Sequence, residues 1–458
     1  MSEQSLKRGS RAVDMTEGVI WKQLLLFFLP ILLGTFFQQL YNTVDAIIVG
    51  RGVSKQALAA VGGSPSQLLN LLVGFFTGLA SGATIIISHA FGARRDEDAS
   101  RAVHTAMALA LLFGLVLSAV GWLLTPQLLV FMDTPDDVML DAIAYLRICF
   151  IGMTASLIYN VGSGILRAIG DSRRPLYFLI IATVFNIIMD CVLVLVLRLG
   201  VTGAALATIL SQLLSAVMVC VVLSRSRDAC WLIPQALRIH AESLRRIIRI
   251  GLPAGLQSVL YSISNIIIQT AINGLGTDAA AGWTAASKMD NIYWIIISAL
   301  GIAITTFVGQ NYGARKLDRL RAGVRQALFL SFGMTAVLCC LLLFIGRPLL
   351  TIFSSDEGVL AQGWQVMNFL IPTYATYVCI EILSGAMRGA GDSVTPTIMT
   401  LVGCCLLRVL WVVLYVPAHH TLQAVMASYP VSWISTSVAF VISYRRGAWL
   451  KRAGRLTR

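Results

Sequence analysis

Leu166–Pro175 reads "LRAIGDSRRP" and Met387–Pro396 reads "MRGAGDSVTP", two versions of one phrase 221 residues apart. The same offset carries Gly92 onto Gly313 inside "FGARRDED" and "YGARKLDR", and Arg167, Gly170, Asp171 and Pro175 onto Arg388, Gly391, Asp392 and Pro396. Nearer the start the offset is 223, pairing Pro30 with Pro253 and Asn42 with Asn265. Matches in register over most of the chain mean that a unit has been duplicated. The segments between these phrases are long and apolar, which sets the nature of the unit.

Of 458 residues, 57% are hydrophobic and 12% charged, against roughly a quarter charged in soluble domains. A bilayer core takes about 20 apolar residues per helical crossing. Twelve such stretches occur, near 20–48, 65–90, 102–124, 139–161, 175–198, 201–223, 250–274, 284–309, 324–346, 363–386, 395–416 and 421–443. Strand-like alternation is absent, so an outer-membrane barrel is not expected and each span is read as a helix that satisfies its own backbone. The expected fold is an all-α membrane protein: twelve transmembrane helices in two six-helix pseudo-symmetric lobes with a central cavity. An even number of spans per copy makes the repeat parallel, about an axis along the membrane normal.

The organisation follows: a tail over 1–19, an N-lobe over 20–224, a linker over 225–249, a C-lobe over 250–443 and a basic tail over 444–458. The tail holds Lys7, Arg8 and Arg11 with no short apolar core and cleavage site after it, so a removable signal peptide is not expected. With both termini inside, the exterior loops hold only Arg51, Lys55, Arg198 and Arg347, whereas the interior segments hold most of the other basic residues. This obeys the positive-inside rule, predicts a multi-pass protein of the plasma (inner) membrane with cytoplasmic termini, and makes the net charge of +13 a topology signal, with no nucleic-acid partner expected. The linker is expected to lie along the cytoplasmic surface as an amphipathic helix. The two "GAR" phrases are expected to cap helices, Gly breaking the helix and Arg anchoring it. "GFFTGLASG", with Gly74, Gly78 and Gly82, is expected to be a small-residue ridge allowing close helix contact. Pro30 and Pro253 are candidate bend points. Nine cysteines without CxxC spacing read as packing residues, and no metal site is expected.

Function is sought where the two copies differ, in the polar residues of the spans. Gln38, Asn42 and Asp45, spaced four then three, share a helical face with Tyr41 alongside. An intramembrane carboxylate costs roughly 2.5–3.5 kcal/mol on insertion scales and normally faces a bundle interior or a cavity. Span five repeats the pattern with Thr183, Asn186 and Asp190, and span six offers Thr208, Ser211, Gln212 and Ser215. Asp45, Asn186, Asp190 and Thr208 are the candidate cation-coupling set, a hard-oxygen pocket suited to H⁺ or Na⁺; the alternative is a hydrogen-bond network that only fastens helices. In the C-terminal half, Tyr374, Tyr377, Glu381 and Ser384 share a face, Lys288, Asp290, Asn291 and Trp294 lie in span eight, and Ser258, Ser262, Asn265 and Gln269 in span seven. A neutralising pair of Lys288 with Asp290 or Glu381 is the structural alternative there. Gln38, Tyr41, Asn42, Lys288, Asp290, Tyr377 and Glu381 are the candidate substrate-binding residues. Trp283 is an interface anchor or a stacking group, and Arg147 and Arg408 are expected to snorkel from span ends.

In combination, "LYNTVDAIIVGR", "ALAAVG", "FGARRDED", "LRAIGDSRRP", "TTFVGQNYGAR" and "GAMRGAGDS" resemble the multidrug and toxic compound extrusion (MATE) transporters, in particular their bacterial DinF-like branch, over nearly all of residues 20–440. The resemblance implies an antiporter whose two six-helix lobes form a V-shaped cavity, with inward H⁺ or Na⁺ movement driving export of organic, often cationic, compounds by alternating access. It implies an N-lobe cation site made by an Asp of the first helix, an Asn and Asp four apart on the fifth and a Thr on the sixth, which fall here on Asp45, Asn186, Asp190 and Thr208. The acidic pair of other branches on the seventh and tenth helices is matched only by Glu381. No cofactor beyond the coupling ion, no enzymatic activity and a monomer are expected. The other readings weighed are a flippase for a lipid-linked sugar, which calls for a cavity rich in Arg or Lys; an intramembrane enzyme, for which the five His lie at or near predicted loops or span ends; and a channel, which two unequal halves suit poorly.

Overall fold

In the computed structural model, residues 13–225, 231–352, 356–450 and 452 are described. Lys7, Arg8 and Arg11, residues 226–230 of the expected linker and residues 451 and 453–458 of the C-terminal basic tail lie outside them. Among the described residues the chain is helical and without strands. Eleven helices are long and apolar enough to cross a membrane: α1 Ile20–Gly52, α2 Gln56–Gly92, α3 Asp96–Phe131, α4 Asp136–Ala168, α5 Arg173–Val196, α6 Gly200–Arg225, α7 Ala241–Asn273, α8 Thr277–Gly313, α9 Leu317–Leu350, α12 Val394–Ala418 and α13 Leu422–Arg446. Between α9 and α12 lie α10 (Glu357–Leu370) and α11 (Ala375–Ala390), a pair bent by 53° that together make the twelfth span. Each expected stretch falls on one of these spans. The break at Ile371–Thr373 was not anticipated, although Pro372 supplies its cause by removing a donor from the helix. Pro30 and Pro253, in contrast, sit inside continuous helices.

The repeated phrases fold alike. After Leu166 and Met387 the chain turns at Gly170 (φ 89°) and Gly391 (φ 107°), with Asp171 N–H donating to Leu166 O and Asp392 N–H to Met387 O. Each aspartate then caps the next helix: Asp171 Oδ1 accepts from the N–H groups of Arg173 and Arg174 (both 3.1 Å), and Asp392 Oδ1 from that of Thr395 (3.1 Å). At the "GAR" phrases the helix ends as expected, with one correction. The left-handed residue is the arginine itself, Arg94 (φ 56°) and Arg315 (φ 57°), one step beyond a helical Gly and Ala. The bonds from Arg95 N to Ala90 O and from Lys316 N to Asn311 O close these turns over two orphan carbonyls (both 2.9 Å).

Two compact units are formed. One contains residues 13–14 and Leu26–Gly255, the other Met15–Leu25 and the chain from Leu256 onward. The division therefore falls inside α7, not in the 225–249 stretch. The small-residue ridge is the reason: a Cβ on Gly78 would meet Gly255 Cα at 2.6 Å, and one on Gly82 would meet Gly251 N at 2.7 Å. The first turns of α7 pack backbone to backbone on α2 within the first unit, a closeness that side chains would forbid. Of the expected linker, the residues from Ala241 on are helical, as the first turns of α7, whereas residues 231–240 form no α-helix. Pro234–Ala236 forms one short turn, and the segment is bonded to α3 through Ile233 N–H to His104 Nε2 (3.1 Å) and His240 N–H to Thr105 Oγ1 (3.2 Å). In the second unit, Arg319 donates to the carbonyls of Met15, Glu17 and Gly18 and to Gln23 Oε1, and Lys316 to that of Thr16, so that the Met15–Leu25 strap is fastened to the start of α9.

Candidate functional site

In the first unit α1, α4, α5 and α6 bring the polar face of "LYNTVD" against that of "TVFNIIMD". Asp45 is 7% exposed, and Asn186 and Asp190 are fully buried. Thr208 and Thr183 are buried beside them on α6 and α5. Thr183 Oγ1 donates to Phe37 O at 3.5 Å and so ties α5 to α1. Both oxygens of Asp190, both terminal atoms of Asn186, Asp45 Oδ1 and Thr208 Oγ1 are buried without a hydrogen-bond partner among the described residues. No cation pairs with either aspartate there. Buried polar groups are almost always satisfied, so a concentration of orphaned acceptors calls for a specific explanation.

Around this set the Tyr41 hydroxyl approaches Thr208 and comes within electrostatic range of Asp45, Asp190 and Cys149, though its approach to Thr208 does not reach regular hydrogen-bond geometry. Tyr145 and Cys149 of α4 complete the surround, both within range of Asp45. Sequence reading overlooked these two because a lone Tyr and a lone Cys in an apolar span carry no spacing signal. Asp190 is also the last α-helical residue before a π-helical segment, Cys191–Val196, a distortion found often at functional sites. Gln38 and Asn42 stand apart from the cluster. Both are exposed, and Asn42 Nδ2 donates to Gln39 Oε1 at 3.3 Å.

The second unit treats its carboxylates differently. Asp290 accepts from Trp294 Nε1 (2.8 Å) and from the Tyr374 hydroxyl. Glu381 accepts from the Tyr377 hydroxyl (3.4 Å) and pairs with Arg388 at 3.8 Å, whose guanidinium also reaches Ser384 Oγ. Lys288 is exposed and joins neither acid, so the neutralising partner in this half is Arg388. The bend before α11 places Tyr374 flat on Tyr293, with ring centroids 4.3 Å apart, and Tyr293 donates to Tyr374 O at 3.0 Å. Asn265 of the span-seven stripe is exposed, and Gln269 donates to Asn273 Oδ1 at 2.9 Å.

Arg408 departs most from expectation. It is 2% exposed and does not snorkel. Its guanidinium lies 4.2 Å over the ring of Tyr429 and shares the Ser432 hydroxyl at 3.4 Å, so the ring face replaces water as its partner. Trp283 is likewise buried, tilted against Tyr429 at 5.7 Å. Arg147 lies 4.5 Å over Trp122. Among the described residues no group of three or more His, Cys, Asp or Glu could hold a metal ion, and the eight described cysteines are free.

The comparisons agree with this architecture. The chain is 29% identical to the probable multidrug resistance protein YoeA of Bacillus subtilis (strain 168) over 443 residues, 94% of this chain and 95% of that protein. It is 25% identical to the probable multidrug resistance protein NorM of Thermotoga maritima over 388 residues, 84% and 83% of the two chains. An outward-facing multidrug resistance MATE family transporter of the MOP superfamily superposes with a TM-score of 0.88 over 97% of this chain and 100% of that one, at 23% identity. A MOP superfamily transporter from Pyrococcus furiosus Vc1 (DSM3638) does so with a TM-score of 0.88 over 99% and 100%, also at 23%. The family model described as MatE matches residues 30–192 and 253–414, one match in each half. The chain belongs to the MatE family, the MATE multidrug efflux transporters, and is a membrane transporter rather than an enzyme.

Proposed function

We propose that this transporter is a cation-coupled antiporter, driven by H⁺ or Na⁺, that exports organic cationic or amphipathic compounds by alternating access. The observation that carries the reading is the contrast between the units. Among the described residues Asp45 and Asp190 lie buried in a membrane-spanning bundle with orphaned oxygens and no counter-ion, while Asp290 and Glu381 have donors or a cation.

A buried, unpaired carboxylate carries a desolvation penalty of several kcal/mol. A proton on Asp190 or Asp45 would remove the charge, and Na⁺ held by the Asp45, Asn186, Asp190 and Thr208 oxygens would balance it. Ion occupancy therefore changes the relative free energy of conformations that expose or bury these oxygens, the differential interaction a switch requires. Cargo binds while the carboxylates are charged and leaves when an ion takes its place. One charge crossing 100 mV supplies about 2.3 kcal/mol, enough to lift a neutral cargo's gradient by more than tenfold.

The favoured location is the plasma (inner) membrane with both termini cytoplasmic, from the Lys and Arg asymmetry of the loops. The candidate cargo contacts are Tyr41, which adjoins the cluster, with Tyr377, Glu381 and Asp290 in the aromatic group of the second unit; Gln38, Asn42 and Lys288 are exposed side chains outside both groups. Neither the family match nor the relatives favour a flippase. The test is accumulation of a fluorescent organic cation in everted vesicles under an imposed pH or Na⁺ gradient. Accumulation that collapses when the gradient is dissipated supports the reading, and accumulation indifferent to both gradients refutes it.

A further inference from the structure

A groove of about 660 Å³ runs along the second unit, lined by Trp21, Ile296 and one face of α9 from Gln326 to Leu341. Fifteen steps of about 1.5 Å rise from Gln326 to Leu341 make it about 22 Å long, longer than the roughly 15 Å of one leaflet's hydrocarbon. Its α9 wall is apolar beyond Gln326, with Phe329, Val337 and Leu341 exposed and a notch at Gly333, around whose missing Cβ no atom comes within 4 Å. One end is chemically different. The strap fastened by Arg319 sets Trp21 there, an aromatic with an apolar body and a polar tip. Lys22 and Arg325, next in sequence to Trp21 and Gln326, are exposed and have no carboxylate partner among the described residues. Arg325 lies 5.8 Å over Phe329 and is thereby held beside the groove. Gln326 contributes a buried Oε1 with no donor among the described residues.

We propose that this groove is a binding site for one anionic, hydroxyl-bearing phospholipid, with an acyl chain along Gly333 and Val337 and the phosphate between Lys22 and Arg325. Charge complementarity selects the occupant. Two unpaired cations attract a phosphate, Trp21 suits the level of the headgroups, and an unsatisfied acceptor favours a headgroup that can donate a hydrogen bond, as a glycerol hydroxyl can and a choline cannot. The groove belongs to the second unit and the Asp45 and Asp190 cluster to the first, so the lipid is a bound partner rather than cargo.

The experiment is native mass spectrometry of the full-length protein extracted from vesicles of equimolar phosphatidylglycerol and phosphatidylcholine. The wild type should retain one phosphatidylglycerol. Gly333→Leu fills the notch and should lower that retained fraction about tenfold, whereas Gly333→Ala should leave it unchanged. The double variant Lys22→Gln, Arg325→Gln leaves the apolar wall intact and should still bind lipid while losing its preference for phosphatidylglycerol over phosphatidylcholine. Equal retention by Gly333→Leu and the wild type, or an unaltered preference in the double variant, would mean exchangeable annular lipid only and would overturn the proposal.

Discussion

Asn186 and Asp190 sit one helical turn apart on α5, both fully buried, and none of their four terminal side-chain atoms has a hydrogen-bond partner among the described residues. An architecture selected only for stability would not place them so. Asp190→Asn and Asp45→Asn are accordingly predicted to raise the thermal stability of the purified protein, since each removes a buried carboxylate with no cation beside it among the described residues. Fluorescence-detected melting in detergent at neutral pH checks this, and lower melting temperatures for both variants would count against an unbalanced charge.

Arg408 over Tyr429 gives a second prediction. A desolvated guanidinium stacked on a ring is worth about 2 kcal/mol or more, and lysine cannot reproduce the planar stack. Arg408→Lys and Tyr429→Leu should each destabilise by about 2 kcal/mol, and the double variant by clearly less than their sum, because both remove one interaction. Strict additivity in a double-mutant cycle would show that the ring is not the cation's partner.

At the α2–α7 crossing, Gly82 and Gly251 admit no side chain: a Cβ on Gly251 would run into Leu79 O. Gly251→Val is expected to cost at least the roughly 1–3 kcal/mol of an overpacked core and to lower the yield of monodisperse protein. Size-exclusion profiles read the effect.

Arg94 and Arg315 hold a conformation that favours glycine. Arg94→Gly and Arg315→Gly should each stabilise by up to about 1 kcal/mol in detergent, where topology is no longer at stake. No gain in either variant would mean that contacts of the arginine side chain offset the strain.

The spans and the duplication were legible because hydropathy over about 20 residues and a long in-register repeat are properties of the chain itself. The polar faces of α1 and α5 were legible for a similar reason: a spacing of three or four fixes a helical face. What stayed hidden depends on partners far away in sequence. Met15 N–H donates to Gln310 across 295 residues, and nothing local marks the Met15–Leu25 strap as part of the second unit. Arg408 looked like a span-end residue because only the packing of α13 against α12 supplies Tyr429 and Ser432. The sequence offers Lys288 as a partner for Asp290 or Glu381, but Arg388, seven residues along the same helix, pairs with Glu381. The break before α11 could have been read from Pro372.

The most direct test of the account is transport by protein reconstituted in liposomes, with a pH or Na⁺ gradient imposed and an organic cation followed, comparing the wild type, Asp190→Asn and Glu381→Gln. Gradient-driven accumulation should fall at least about tenfold in Asp190→Asn, equivalent to 1.4 kcal/mol of lost coupling, whereas Glu381→Gln, at a candidate cargo contact, should weaken the apparent affinity for the cation and leave the dependence on the gradient intact. Undiminished gradient-driven accumulation in Asp190→Asn would contradict the account.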